Sequence, residues 1–131
     1  MAASLPVTTA LVSGLAILFL VLTARVIRLR IRHRVSLGDG GNAELTRAIR
    51  GHGNLVESAP LFVLMLLLAE LQGANTWLIG VLAGGFLVGR TMHGICLGFM
   101  KPTMVLRSGG MLLTLITMIA MTCVDLAIIL L

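Results

Sequence analysis

Ser4 to Ala24 runs twenty-one residues without a charged side chain, and a helix of that length crosses roughly 30 Å of hydrocarbon. Three further apolar stretches follow, at about Leu55–Leu71, Trp77–Leu97 and Ser108–Val124. Gln72-Gly73-Ala74-Asn75 reads as a short turn between the second and third, and Lys101-Pro102 as a break between the third and fourth. With 58% of residues hydrophobic and 11% charged, the chain lacks the polar surface that a water-soluble domain of 131 residues requires. The expectation is therefore an all-α integral membrane protein, a single four-helix domain over 1–131, with helices near 4–32, 43–71, 76–99 and 103–130. Met1–Ala24 lacks the basic start of a signal peptide and has too long an apolar run for one, so it is read as the first helix.

The ten basic residues are Arg25, Arg28, Arg30, Arg32, Arg34, Arg47, Arg50, Arg90, Lys101 and Arg107. All lie in, or toward, the connections between helices 1 and 2 and between helices 3 and 4. The positive-inside rule then puts both connections in the cytosol and both termini outside. The formal net charge of +5 is on this reading a topology signal reinforced by membrane lipid headgroups. No aromatic platform accompanies the basic run, which argues against nucleic acid. Cys96 and Cys123 both fall in apolar helical stretches and are expected to behave as small core residues.

Depth singles out the polar residues that matter. From Glu70 at the outer end of helix 2, Glu57 lies about 20 Å deeper, and from Thr76 at the start of helix 3, Arg90 lies about 21 Å deeper. Unpaired charges there are costly, so Glu57 and Arg90 are expected to form a buried pair. Arg47, Arg50, Asn54 and Glu57 recur at three- and four-residue steps and share a face of helix 2, with His52 on the other side. Arg90, His93 and Leu97 share a face of helix 3. Pro60 removes one backbone donor and is expected to kink helix 2 beside Glu57. Arg107 and Ser108 fall in the first two turns of helix 4, where the positive end of the helix dipole joins a guanidinium and a hydroxyl. Such a network serves either to join helices or to hold an anion. Arg50, Arg90 and Arg107 are offset within the membrane by Glu57 alone, which favours the anion. The corner formed by Arg107 and Ser108 would either stabilise a thiolate or, as an arginine at a membrane border, bind a lipid headgroup; position alone favours neither.

The string Arg47-Ala48-Ile49-Arg50-Gly51-His52-Gly53-Asn54-Leu55-Val56-Glu57, followed by Pro60-Leu61-Phe62, resembles the signature of the MAPEG family, the membrane-associated proteins in eicosanoid and glutathione metabolism. Phe86-Leu87-Val88-Gly89-Arg90 with His93, Leu106-Arg107-Ser108 and Arg28-Leu29-Arg30 resemble its third-helix, fourth-helix and first-helix segments. The short loops are similar to those of the family's bacterial branch. The resemblance implies a homotrimer with glutathione as co-substrate, held between subunits near the cytosolic ends. By position it assigns glutathione binding to Arg28, Arg50, Asn54, Glu57, Arg90 and His93, and thiolate stabilisation to Arg107 with Ser108 as helper. It implies a glutathione transferase or peroxidase acting on a lipophilic electrophile, without a metal. The chain contains no tyrosine, whereas family members commonly place tyrosines along the glutathione pocket. That departure supports the alternative of a binding or scaffold protein with the fold and no turnover.

Overall fold

The computed structural model describes residues 4–101 and 103–130. Pro102, part of the expected break before the fourth helix, lies outside the described residues, as do residues 1–3 of the first apolar segment. Four helices make up the chain: α1 Pro6–His33, α2 Ala43–Leu71, α3 Thr76–Phe99 and α4 Met104–Leu130. Each is long and apolar enough to cross a membrane. The first starts two residues later than the sequence reading places it and the last one residue later.

Local chemistry sets the boundaries. Proline in the first turn of α1 loses nothing, since that amide has no partner within a helix. Leu5 supplies no side-chain cap; instead the Glu70 carboxylate accepts the Val7 and Thr8 N–H groups at 2.9 and 2.8 Å. The outermost acid of α2 thus caps α1 from across the bundle, where its charge also meets the positive end of the α1 dipole. Arg34 ends α1 in the left-handed region at φ 55°. Asn42 caps α2 by accepting the Leu45 N–H, and Asn75 caps α3 by accepting those of Trp77 and Leu78. In the loop before α2, Asp39 accepts the Thr46 hydroxyl at 2.7 Å and the Gly41 N–H at 3.0 Å. These bonds, the hydroxyl's first, hold its carboxyl below the usual range.

The helices run up and down in sequence, and α2 and α3 each touch the other three. Among the described residues α1 and α4 do not meet. The main core runs through the bundle around Leu22, Phe62, Leu66, Ile79, Phe86 and Met121. Phe62 and Phe86 stack with centroids 4.0 Å apart. At the basic end Arg25 ties three helices together: it pairs with Glu44, donates to the Gly98 carbonyl at 2.7 Å and lies over the Phe99 ring. His52 faces α1, with its ring 3.0 Å from the Thr23 hydroxyl. Pro60 sits within an α2 that continues to Leu71. Cys96 is buried, but Cys123 is exposed on α4 and does not join the core.

The closest backbone approach joins α3 to α4. A Cβ on Gly89 would fall 2.9 Å from the Gly110 carbonyl oxygen, and one on Gly110 would fall 2.8 Å from that of Gly89. Only residues without side chains fit there, and the contact brings the polar positions of α3 against the first turns of α4.

Candidate functional site

The arginine-bearing face of α2 and the start of α4 do not close on each other. Between them, with α3 behind, lies a cleft of about 810 Å³. From α2 it receives Thr46, Arg47, Arg50 and Asn54; from α3, His93 and Leu97; from α4, Arg107, Ser108, Gly109, Met111, Leu112 and Leu115. Three guanidiniums line it and no carboxylate does. Arg50 and Arg107 are exposed, while the Arg47 Nε is buried without a hydrogen-bond partner. One side is thus strongly cationic. The other is apolar, since Leu112 and Leu115 are exposed on a helix that the bilayer surrounds.

Behind the cleft stands Arg90, 2% exposed. Among the described residues it has no carboxylate partner. Its Nε donates to the Thr114 hydroxyl at 2.8 Å, Nη1 to the Asn54 carbonyl and the Ser58 hydroxyl at 3.2 Å each, and Nη2 contacts the Met111 sulfur at 3.5 Å. Glu57 is exposed on the outer face of α2. The expected Glu57–Arg90 pair is therefore absent among the described residues of the chain. The cause is azimuth: Ser58 faces Arg90, and Glu57, one residue earlier, is turned about 100° around the helix. Neutral oxygens solvate the buried cation where a counter-ion was expected.

His93, 6% exposed, joins all three walls. Its Nδ1 lies 3.1 Å from the Arg107 carbonyl oxygen and its Nε2 lies 3.0 Å from the Asn54 side-chain nitrogen. The α3 histidine thereby fixes both the first turn of α4 and the Asn54 amide of α2.

The MAPEG family's sequence pattern matches residues 8–126. The chain belongs to the MAPEG family. Two curated relatives are similar to it: the inner membrane protein YecN of Escherichia coli strain K12 and that of Escherichia coli O6:H1. Each is 44% identical over 78 residues, a match that covers 60% of this chain and 60% of the relative.

Of the residues that the MAPEG resemblance marks, the fold brings Arg50, Asn54, His93, Arg107 and Ser108 together on the cleft. Arg90 supports it from behind. Glu57 points outward from α2, and Arg28 is exposed on α1, which takes no part in lining the cleft. Sequence reasoning also left several contributors unassigned. Arg47 precedes Arg50 by one turn on the same face and was visible as a partner. Thr114 and Met111, which receive Arg90, lie on α4, and the sequence reading assigned them no role. The nearby acids do not neutralise the arginines of the cleft: Asp39 bonds Thr46 and Glu44 pairs with Arg25.

Proposed function

We propose that the cleft between α2 and α4 binds glutathione and activates its thiol for attack on lipophilic electrophiles drawn from the bilayer. The observation that carries this reading is the set Arg47, Arg50 and Arg107, lining one cleft with no carboxylate among them. Glutathione carries two carboxylates against one ammonium and matches that excess of positive charge. The cleft's volume lies within the range of roughly 300–1,000 Å³ typical of small-molecule sites.

Arg107 and Ser108 are the fourth and fifth residues of α4. A thiol brought to that corner meets a guanidinium, a hydroxyl and the positive end of a helix dipole, all of which favour its thiolate. The proton leaves to solvent, the sulfur lone pair forms a carbon–sulfur bond, and the leaving group departs with the electrons of the bond it breaks. Met111, Leu112 and Leu115 offer the apolar approach for an electrophile concentrated in the bilayer.

The same proposal sets the chain in a bacterial inner membrane, where the E. coli relatives are named as residing, with the basic connections in the cytosol beside the glutathione pool. It assembles the chain as a homotrimer, in which the exposed Glu57, Arg50 and Arg28 face neighbouring copies and a neighbour's Arg28 completes the cleft. A second reading, binding without turnover, draws on the absence of tyrosine. Titration calorimetry of the purified protein with glutathione, followed by a conjugation assay on an aryl halide, tests both. Saturable binding with conjugate formation supports the enzyme; binding alone supports the second reading; no binding removes both.

A further inference from the structure

The hydrogen bonds of His93 determine which end of the Asn54 amide meets a ligand. A backbone carbonyl oxygen accepts and never donates, so Nδ1, 3.1 Å from the Arg107 carbonyl, carries the ring proton. The ring is buried, its charged neighbours Arg90 on α3 and Arg107 on α4 are cations, and no carboxylate bonds it. A second proton has nothing to stabilise it there, and Nε2 retains its lone pair. The Asn54 side chain, 3.0 Å away, must then present its NH₂ group to the ring. The amide is planar, and its oxygen is left on the opposite side. Among the described residues that oxygen accepts no hydrogen bond, nor is it one of the buried atoms left without a partner, and Asn54 lines the cleft.

We propose that His93 is a positioning residue that locks Asn54 with its oxygen toward the cleft, so that the site selects anionic ligands that also carry an N–H donor. The guanidiniums of Arg47, Arg50 and Arg107 donate only; Asn54 Oδ1 is an amide acceptor held among them. Resting on the glutathione reading, this assigns Asn54 the ammonium of the γ-glutamyl end and gives His93 no direct contact with the ligand. With the opposite amide orientation the acceptors left among the lining side chains would be the Thr46 and Ser108 hydroxyls, beside three guanidiniums, and an ammonium would count against binding.

The test is calorimetry on the full chain in detergent with two tripeptides, glutathione and glutaryl-cysteinyl-glycine. The second keeps both carboxylates and the thiol but has hydrogen in place of the ammonium. Charge alone favours it, because it is the more negative ligand in a cationic cleft. The wild type is expected to prefer glutathione by roughly tenfold or more, the scale of one hydrogen bond to a charged group. His93→Gln keeps the preference, since a glutamine amide can donate to the Arg107 carbonyl and accept from Asn54. His93→Leu frees the amide, and the preference collapses to within about threefold while the analogue's own affinity changes little. If His93→Leu does not fold, loss of the preference in Asn54→Ala serves in its place. Equal binding of the two tripeptides by the wild type, or equal weakening of both in the His93→Leu or Asn54→Ala protein, overturns the assignment and leaves the glutathione reading standing. No binding of either overturns both.

Discussion

The Arg90 guanidinium directs its donors at neutral oxygens, and the two hydroxyls among them also donate to backbone carbonyls four residues earlier: Thr114 to Gly110 and Ser58 to Asn54. Removing the guanidinium therefore strands no hydroxyl. Arg90→Met, which keeps most of the side-chain volume, is expected to change stability by about 1 kcal/mol or less, because the lost hydrogen bonds are offset by the lost burial of a charge. Arg90→Ala adds a cavity and is expected to cost about 2–5 kcal/mol. Thermal unfolding in detergent separates the two; a large loss in the Met variant means that the charge itself holds the bundle together. Sequence reasoning placed Arg90 level with the right turn of α2 and gave it the wrong partner. Depth follows from counting residues along a helix. The direction in which a side chain points depends on packing, and a single step from Ser58 to Glu57 changes the outcome. Arg107 and Ser108 were legible because a helix start after a break is a local signal, and Thr114 was not, because nothing in an apolar helix marks which threonine faces a cation.

Among the elements, the pairing of α3 with α4 does most to form the site, since it seats His93 against Arg107 and Arg90 against Thr114. It depends on Gly89 and Gly110. A methyl at Gly110 would lie 2.8 Å from the Gly89 carbonyl oxygen and 2.9 Å from the His93 nitrogen, both backbone atoms that cannot turn aside. Gly110→Ala should force the helices apart, lower stability by about 1–3 kcal/mol and weaken glutathione binding by stretching the His93–Arg107 bond. Gly80→Ala, where a Cβ meets open space, serves as the control and should fold like the wild type. Equal unfolding temperatures for all three proteins would show that the close approach carries no weight. The four helices were legible in the sequence from apolar length, and the Gln72-Gly73-Ala74-Asn75 turn marked the end of α2 and the start of α3. The cap that Glu70 gives α1 was not legible, because its partners lie 62 and 63 residues away in the chain. Nor was the glycine contact, since glycine is frequent in membrane helices for several reasons and six occur in α3 alone.

At the scale of the molecule, one end of the bundle is cationic and the cleft opens there. Arg28, Arg50 and Glu57 lie exposed on helices that otherwise face lipid, and charged groups in a bilayer need partners or water. On the proposed assembly they find them across subunit boundaries. Native mass spectrometry from mild detergent should then give a trimer, and a monomer as the sole species would remove the neighbour's Arg28 from the account. The central claim is narrower than the assembly: the start of α4 stabilises the thiolate of a bound glutathione. Arg107→Ala removes that charge, while Arg47, Arg50 and Asn54 remain to hold the rest of the ligand. The direct measurement is the ultraviolet absorbance of the thiolate during glutathione titration at neutral pH, in wild type and in Arg107→Ala. The account predicts a saturable thiolate signal in the wild type and, at full occupancy, a signal reduced about fivefold in the variant, the effect of a pKa near the ambient pH raised by roughly one unit. Equal thiolate signals from two proteins that both bind glutathione would contradict it.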